Sequence, residues 1–367
     1  MSRILIATII LVGRTGTEVV TLETARALRA RGHEVAIFAQ YTGPLAHLLT
    51  SEGFTVVDDI AALPWTPTVI QANQTFPLME VIVRFPQVPV LSICHDPMAW
   101  FNEPIDLPSI RRHAAVSVAS RDRIVKSIPR LANGVELLHN AVDLEAFRAR
   151  GPLPKKPRRA LILSHHDAHM HAVRKACDSL GVEVDALGKG AGNEVADLPA
   201  RLVDYDLVFA TGRMALEALA VGCAVVVADS GGIAGMVTEE VIPTWRDYNL
   251  GLLLLRQPLS VTTLASEIRK YDAADALRVS RFVRERCSLN GYIDRLEAIY
   301  AAMLKDESNS PTDPQASLIA LGKALRPMAS AIERQTRAEA TKHHRDSRRL
   351  KGSFQRLVRR LRSLSGL

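Results

Sequence analysis

The sequence predicts an α/β protein built from two doubly wound domains and ending in a basic helical tail. Three observations carry this. Asp206–Val237 reads as strand, glycine turn, helix, glycine stop and strand, which is one parallel βαβ unit. Residues 3–39 read as a second unit of the same kind. The 367 residues give room for two full cores, and a proline- and charge-rich stretch, 151–159, offers the break between them.

Composition narrows the class. A hydrophobic fraction of 47% and a charged fraction of 23% are those of a soluble globular chain. Cys94, Cys177, Cys223 and Cys287 lie far apart and mostly within apolar runs. They read as reduced core residues of a cytoplasmic protein rather than as a disulfide frame or a zinc site. The apolar opening to Val12 is too short to span a bilayer and lacks a small-residue cleavage pattern, so it is expected to be a core strand. The net charge of +7 belongs to the segment from Asp306 onward, and residues 1–305 are neutral. A neutral body argues against nucleic acid as a partner.

In chain order, strand 3–11 leads into Gly13-Arg14-Thr15-Gly16-Thr17-Glu18, a helix to about Arg31 and strand Glu34–Ala39. The turn has glycines but lacks the third one of the dinucleotide fingerprint. Pro67–Gln74 and Pro89–His95 read as buried strands whose polar ends, Asn73-Gln74 and His95-Asp96, fall at the carboxyl edge where open α/β sheets bind ligands. Ala114–Ala119 reads as a strand, followed by a helix to about Ser127 and strand Val135–Leu138. The domains are expected at 1–150 and 160–290, with 151–159 as linker, a helix at 291–305, and a linker and tail over 306–367.

The second domain opens with strand Ala160–Leu163 and a histidine-rich run, His165, His166, His169 and His171. No cysteine or carboxylate spacing accompanies these histidines, so a solvated helix start is expected and no metal. Leu207–Phe209 is a buried strand, Met214–Ala220 a helix stopped by Gly222, and Cys223–Asp229 a second buried strand. A helix beginning near Gly212 directs unpaired N–H groups at whatever lies above it, and Arg213 adds a planar cation suited to phosphate oxygens. Glu217, one turn in, can accept hydrogen bonds from two ribose hydroxyls. Gly231-Gly232 lets backbone approach an anion. Leu250–Leu255 is read as a strand or buried turn, and Val261–Lys270, Ala274–Arg286 and Gly291–Leu304 as helices.

Glu217-Ala218-Leu219-Ala220-Val221-Gly222, with its apolar strand and Gly231-Gly232, resembles the donor half of GT-B glycosyltransferases, the retaining family-4 type. The resemblance implies two Rossmann-like doubly wound domains facing a cleft. It implies that Glu217 contacts the ribose of a nucleotide diphosphate sugar and that Gly231-Gly232 lie against its diphosphate. His95, with Asp96 beside it, matches the cleft histidine near the donor sugar, and Gly13, Gly16 and Thr17 match the first cleft loop. Asn140-Ala141-Val142-Asp143 is similar to the element that closes the first domain, and the last helices are expected to cross back onto that domain. The family view has no protein nucleophile and no cofactor; the leaving phosphate helps deprotonate a glycan or lipid-linked acceptor.

Three departures stand out. Phe209 replaces a sugar-binding glutamate, Gly235 replaces the glutamate after the Gly-Gly turn, and Ser164–His171 lacks an arginine and lysine that neutralise diphosphate. Arg213 or His165 are the substitutes at hand. Two rivals follow: a non-catalytic GT-B scaffold partnering another transferase, and a GT-B nucleotide-sugar epimerase. The tail repeats Leu350, Phe354, Leu357, Leu361 and Leu364 among arginines. That pattern suits an anionic membrane surface on the cytoplasmic side or a coiled-coil partner.

Overall fold

The computed structural model describes residues 1–99, 102–164, 166–192 and 197–305, with scattered residues between 315 and 337. His165 and the 350–364 repeat lie outside the described residues. Among the described residues no helix is long and apolar enough to cross a membrane.

The first sheet contains β1 (Arg3–Leu11), β2 (Glu34–Thr42), β3 (Thr55–Val57), β4 (Val69–Ala72), β5 (Val90–Cys94), β6 (Ile110–Ala115) and β7 (Val135–Leu137). The order is β3-β2-β1-β4-β5-β6-β7, and every pairing is parallel. Ile4, Leu5, Ile6 and Ala7 of β1 are fully buried, because helices cover both faces of a central parallel strand. Those helices include α1 (Gly16–Ala30), α2 (Pro44–Ser51), α3 (Thr75–Arg84) and α4 (Val118–Ser127).

The second sheet contains β8 (Arg159–Leu163), β9 (Glu183–Leu187), β10 (Leu207–Ala210), β11 (Ala224–Asp229) and β12 (Gly232–Met236), in the order β12-β11-β10-β8-β9. Its pairings are parallel except β11–β12. Around it lie α5 (Met170–Asp178), α6 (Leu198–Leu202), α7 (Gly212–Val221), α8 (Ile242–Asp247), α9 (Val261–Ile268) and α10 (Ala273–Arg286).

The chain crosses between the bodies twice, side by side. Val142 N–H donates to Cys287 O and Leu289 N–H to Val142 O, both at 2.8 Å. Helix α11 (Leu289–Lys305) then returns to the first body. Its Tyr292, Ile293, Leu296, Ile299, Tyr300 and Met303 share one face at helical spacing and pack with β1 and α1 side chains.

Three sequence expectations shift. The strand placed at Ala114–Ala119 is β6, Ile110–Ala115, and Ser117 caps α4 by accepting Ser120 N–H at 3.2 Å. Arg111-Arg112 at the strand start hid it from a reading weighted to apolar runs. Leu250–Leu255 is a 3-10 turn at Leu252–Leu254 that leaves Leu252 and Leu253 exposed. The Gly-Gly turn leads straight into an antiparallel edge strand, β12, where no strand was expected.

Candidate active site

A cavity of about 490 Å³ lies between the bodies, lined by α1 through Gly16 and Glu23, by Asp143 at the junction, and by Gly188, Arg213 and Glu217 of the second body. The carboxyl ends of β9 and β10 open towards it, through Leu187 and Thr211.

Helix α7 supplies its chemistry. Thr211 precedes the helix in extended conformation and its hydroxyl caps nothing. Gly212 N–H donates to Leu250 O at 2.8 Å. The next two N–H groups, of Arg213 and Met214, have no acceptor among the described residues, and both residues line the cavity. The helix therefore presents two donors and its positive dipole end there.

Glu217 is one turn further and only 5% exposed. Burial pushes its carboxyl up to about 7; Arg213 opposes that rise and Glu23 adds to it. Arg213 is also buried, and both of its terminal nitrogens are engaged. It donates to Glu23 on α1 and to Ala141 O at 3.2 Å, and its Nε stands 2.7 Å from Glu217 Oε1. The cation that the sequence offers to phosphate thus joins the two bodies.

The first cleft loop is organised by a residue that the sequence reading passed over. Glu18 accepts the N–H groups of Val12 and Gly13 at 2.7 Å and of Thr15 at 2.8 Å. Burial alone would raise its carboxyl, but the bonds from Thr15, Gly13 and Val12 outweigh burial and hold it below the ordinary value. Thr15-x-x-Glu18 is a capping box, a signal visible in the sequence. Gly13 N–H is thereby taken up by Glu18, Thr17 O accepts the Thr21 hydroxyl at 3.0 Å, and Gly16 lines the cavity. Exposed Arg14, also unremarked in the sequence, is a cation at the cavity wall.

His95 follows β5 at the carboxyl edge of the first sheet. Its ring is half-buried, but Nε2 is enclosed with no partner among the described residues, and burial pushes its pKa down to about 4. Asp96 accepts Met98 N–H at 2.6 Å and Ala99 N–H at 2.9 Å, which fixes the turn after it. Neither residue is among those lining the cavity around Glu217.

The glycine turn also lies apart from that lining. At Gly232, φ is +140° and a Cβ would meet Gln257 O at 2.7 Å, so glycine here admits the returning chain that pairs with Ile233. Beneath the turn, Asp229 accepts Ser230 N–H at 2.6 Å and the Ser164 hydroxyl at 3.2 Å, tying the ends of β11 and β8 together. Phe209 is wholly buried among the second body's apolar side chains and presents nothing polar to the cleft. The structure thus brings Gly16, Arg213 and Glu217 to one cavity, with Gly212, Gly13 and Thr17 adjoining in the chain, and leaves His95, Asp96, Gly231 and Gly232 outside it.

No family model matches the sequence, and no curated protein matches it. Solved structures do. A glycosyltransferase from Rickettsia africae ESF-5 superposes with a TM-score of 0.60 at 14% identity, over 83% of this chain and 99% of that one. The lipopolysaccharide outer core galactosyltransferase WaaB, in its apo form, gives 0.53 at 12% identity over 82% and 99%. WaaG, a glycosyltransferase involved in lipopolysaccharide biosynthesis, gives 0.51 at 11% identity over 82% and 99%. The chain has the GT-B glycosyltransferase fold: two doubly wound α/β bodies with a cleft between them.

Proposed function

We propose that this protein is a glycosyltransferase moving a sugar, with retention, from a nucleotide diphosphate sugar to a glycan or lipid-linked acceptor. The observation that carries the reading is Glu217: a buried carboxylate one turn into α7, on the wall of the interbody cavity, below two unpaired helix N–H groups. The carboxylate accepts the paired hydroxyls of a ribose. The N–H groups of Arg213 and Met214, the α7 dipole and Arg14 stabilise the diphosphate as its charge grows in the transition state. His95 stays neutral at physiological pH and positions the sugar from the first body. The leaving phosphate takes the acceptor's proton, so no step needs a protein nucleophile. In this reading the basic tail at 350–364 holds the enzyme on an anionic membrane surface on the cytoplasmic side.

The similar solved structures are glycosyltransferases, which supports the reaction class. The test is calorimetric binding of UDP, GDP and ADP to the full chain. Saturable binding of one nucleotide, lost in Glu217→Ala, is the expected outcome and names the base. Binding unaffected by Glu217→Ala would sink the assignment.

Specific observations favour a second reading, a non-catalytic scaffold with a transferase fold. Phe209 is apolar core where an acid contacts the sugar in the resembling family, and Glu18 fills the donors of the first loop. Absence of binding by all three nucleotides is what this reading expects.

A further inference from the structure

Glu23 belongs to α1 in the first body, yet it is the hydrogen-bond acceptor of Arg213 on α7 in the second. The three edges of the guanidinium are used differently. One terminal nitrogen donates to Glu23 and the other to Ala141 O at 3.2 Å, both as directed hydrogen bonds. Nε lies 2.7 Å from Glu217 Oε1, but its N–H is not aimed at that oxygen and makes no hydrogen bond among the described residues. Glu217 therefore feels the positive charge while its lone pairs stay open.

A guanidinium is planar and rigid, so two directed bonds at its terminal nitrogens fix its plane and the position of Nε. Both of those bonds come from outside α7. We propose that Glu23 is a positioning residue of the nucleoside subsite: it holds the Arg213 fork turned away from Glu217, which leaves the Glu217 carboxylate open to a vicinal diol. This rests on the reading of Glu217 as the ribose acceptor. Freed of Glu23, Arg213 turns its fork onto Glu217 in a bidentate pair, the geometry that this pair of groups favours, and takes up the lone pairs that the diol needs. The other charged groups near Glu23 are Arg26 and Asp143. Arg26 is paired with Glu52 and so does not replace Arg213 as its partner, and Asp143 is of the wrong sign.

The test compares UDP, GDP and ADP with their 2′-deoxy counterparts by calorimetry on the full chain, because the deoxy sugar lacks one of the two hydroxyls. The wild type is expected to favour the ribonucleotide by on the order of tenfold or more, as loss of a hydrogen bond to a charged group predicts. Glu23→Gln is expected to bring that ratio close to one, and Glu23→Asp to restore part of it; thermal unfolding of the ligand-free variants separates loss of the ratio from loss of the fold, because a buried ion pair is broken. Should Glu23→Gln fail to fold, Arg213→Lys keeps the charge, loses the fork and is expected to lose the ratio too. A ratio kept in Glu23→Gln or in Arg213→Lys but lost in Glu217→Gln would overturn the role of Glu23 alone. A ratio kept in Glu217→Gln, or no binding by the wild type, would remove the ribose reading and this proposal with it.

Discussion

Gly235 and Glu267 compete for one small volume. A Cβ on Gly235 would stand 2.8 Å from Glu267 Oε2, and the backbone of Gly235 has φ +132°. Glu267, on α9, is 4% exposed and accepts Met236 N–H at 2.9 Å, while Lys270 balances its charge at 2.8 Å. The glutamate that the resembling family carries after its Gly-Gly turn has no space here, because a carboxylate from another helix already serves this edge strand. Restoring it by Gly235→Glu is expected to destabilise the protein by about 3 kcal/mol or more, from backbone strain and two abutting carboxylates. Chemical denaturation of the variant measures this, and wild-type stability would contradict the steric account.

Phe209 gives the same lesson from inside the sheet. It is wholly buried in the middle of the second body. Phe209→Glu, which puts back the lost sugar-binding acid, is expected to cost on the order of 4 kcal/mol or more, since it leaves a cavity and an unpaired buried carboxyl. Phe209→Leu is expected to cost about 1 kcal/mol. Thermal unfolding of the two variants, side by side, tests that difference. A stable, more active Phe209→Glu would show that the position faces the cleft.

Glu217 makes stability and binding run in opposite directions with pH. Its carboxyl rises from 4.5 to about 7 on folding, first because of burial. The folded state therefore holds its proton more tightly than the unfolded one. The resulting stability is complete below pH 4.5 and is lost as pH rises through about 7. The ionised form is the better acceptor of two hydroxyls, so nucleotide affinity is expected to climb between about pH 6 and 8. Melting curves and titrations of wild type against Glu217→Gln isolate both slopes, and equal pH dependence in the two proteins would exclude Glu217 as their source.

Tyr300 ties α11 to the first cleft loop through a buried polar chain. Its hydroxyl donates to Gln71 at 2.6 Å, Gln71 to Asn73 at 2.9 Å, Asn73 to Thr21 at 2.9 Å, and Thr21 to Thr17 O at 3.0 Å. Tyr300→Phe leaves Gln71 Oε1 short of a donor and is expected to cost about 1–3 kcal/mol. Denaturant unfolding checks the size. A cost near zero would mean that water takes the place of the hydroxyl.

Much of this was legible in the sequence for local reasons. Asp206–Asp229 announces strand, helix and strand because apolar run, helix formers and glycines coincide there, and the returning face of α11 shows in the spacing of Ile293, Leu296 and Met303. What escaped depends on partners remote in the chain. Arg213 looks like a free phosphate ligand until Glu23 is brought against it across 190 positions. Likewise, the need for glycine at 232 shows only when the chain at Gln257 folds back to where a Cβ would stand. Strand β12 pairs only because β11 offers it an edge. Glu18 is the exception, since its capping box was local and readable.

The return of α11 has a consequence for synthesis. The first body takes Tyr292, Ile293, Leu296, Ile299, Tyr300 and Met303 into its core, although all its strands are complete by Leu137. On the ribosome, a growing chain whose residue 150 has emerged has its full first sheet and an open apolar face. That face stays uncovered while the whole second body is made, and it closes only when the helix ending at Lys305 emerges. The second body does not depend in this way on the later residues of α11. The half made first is therefore the half that finishes last, and a nascent chain stalled before residue 290 would be the aggregation-prone form.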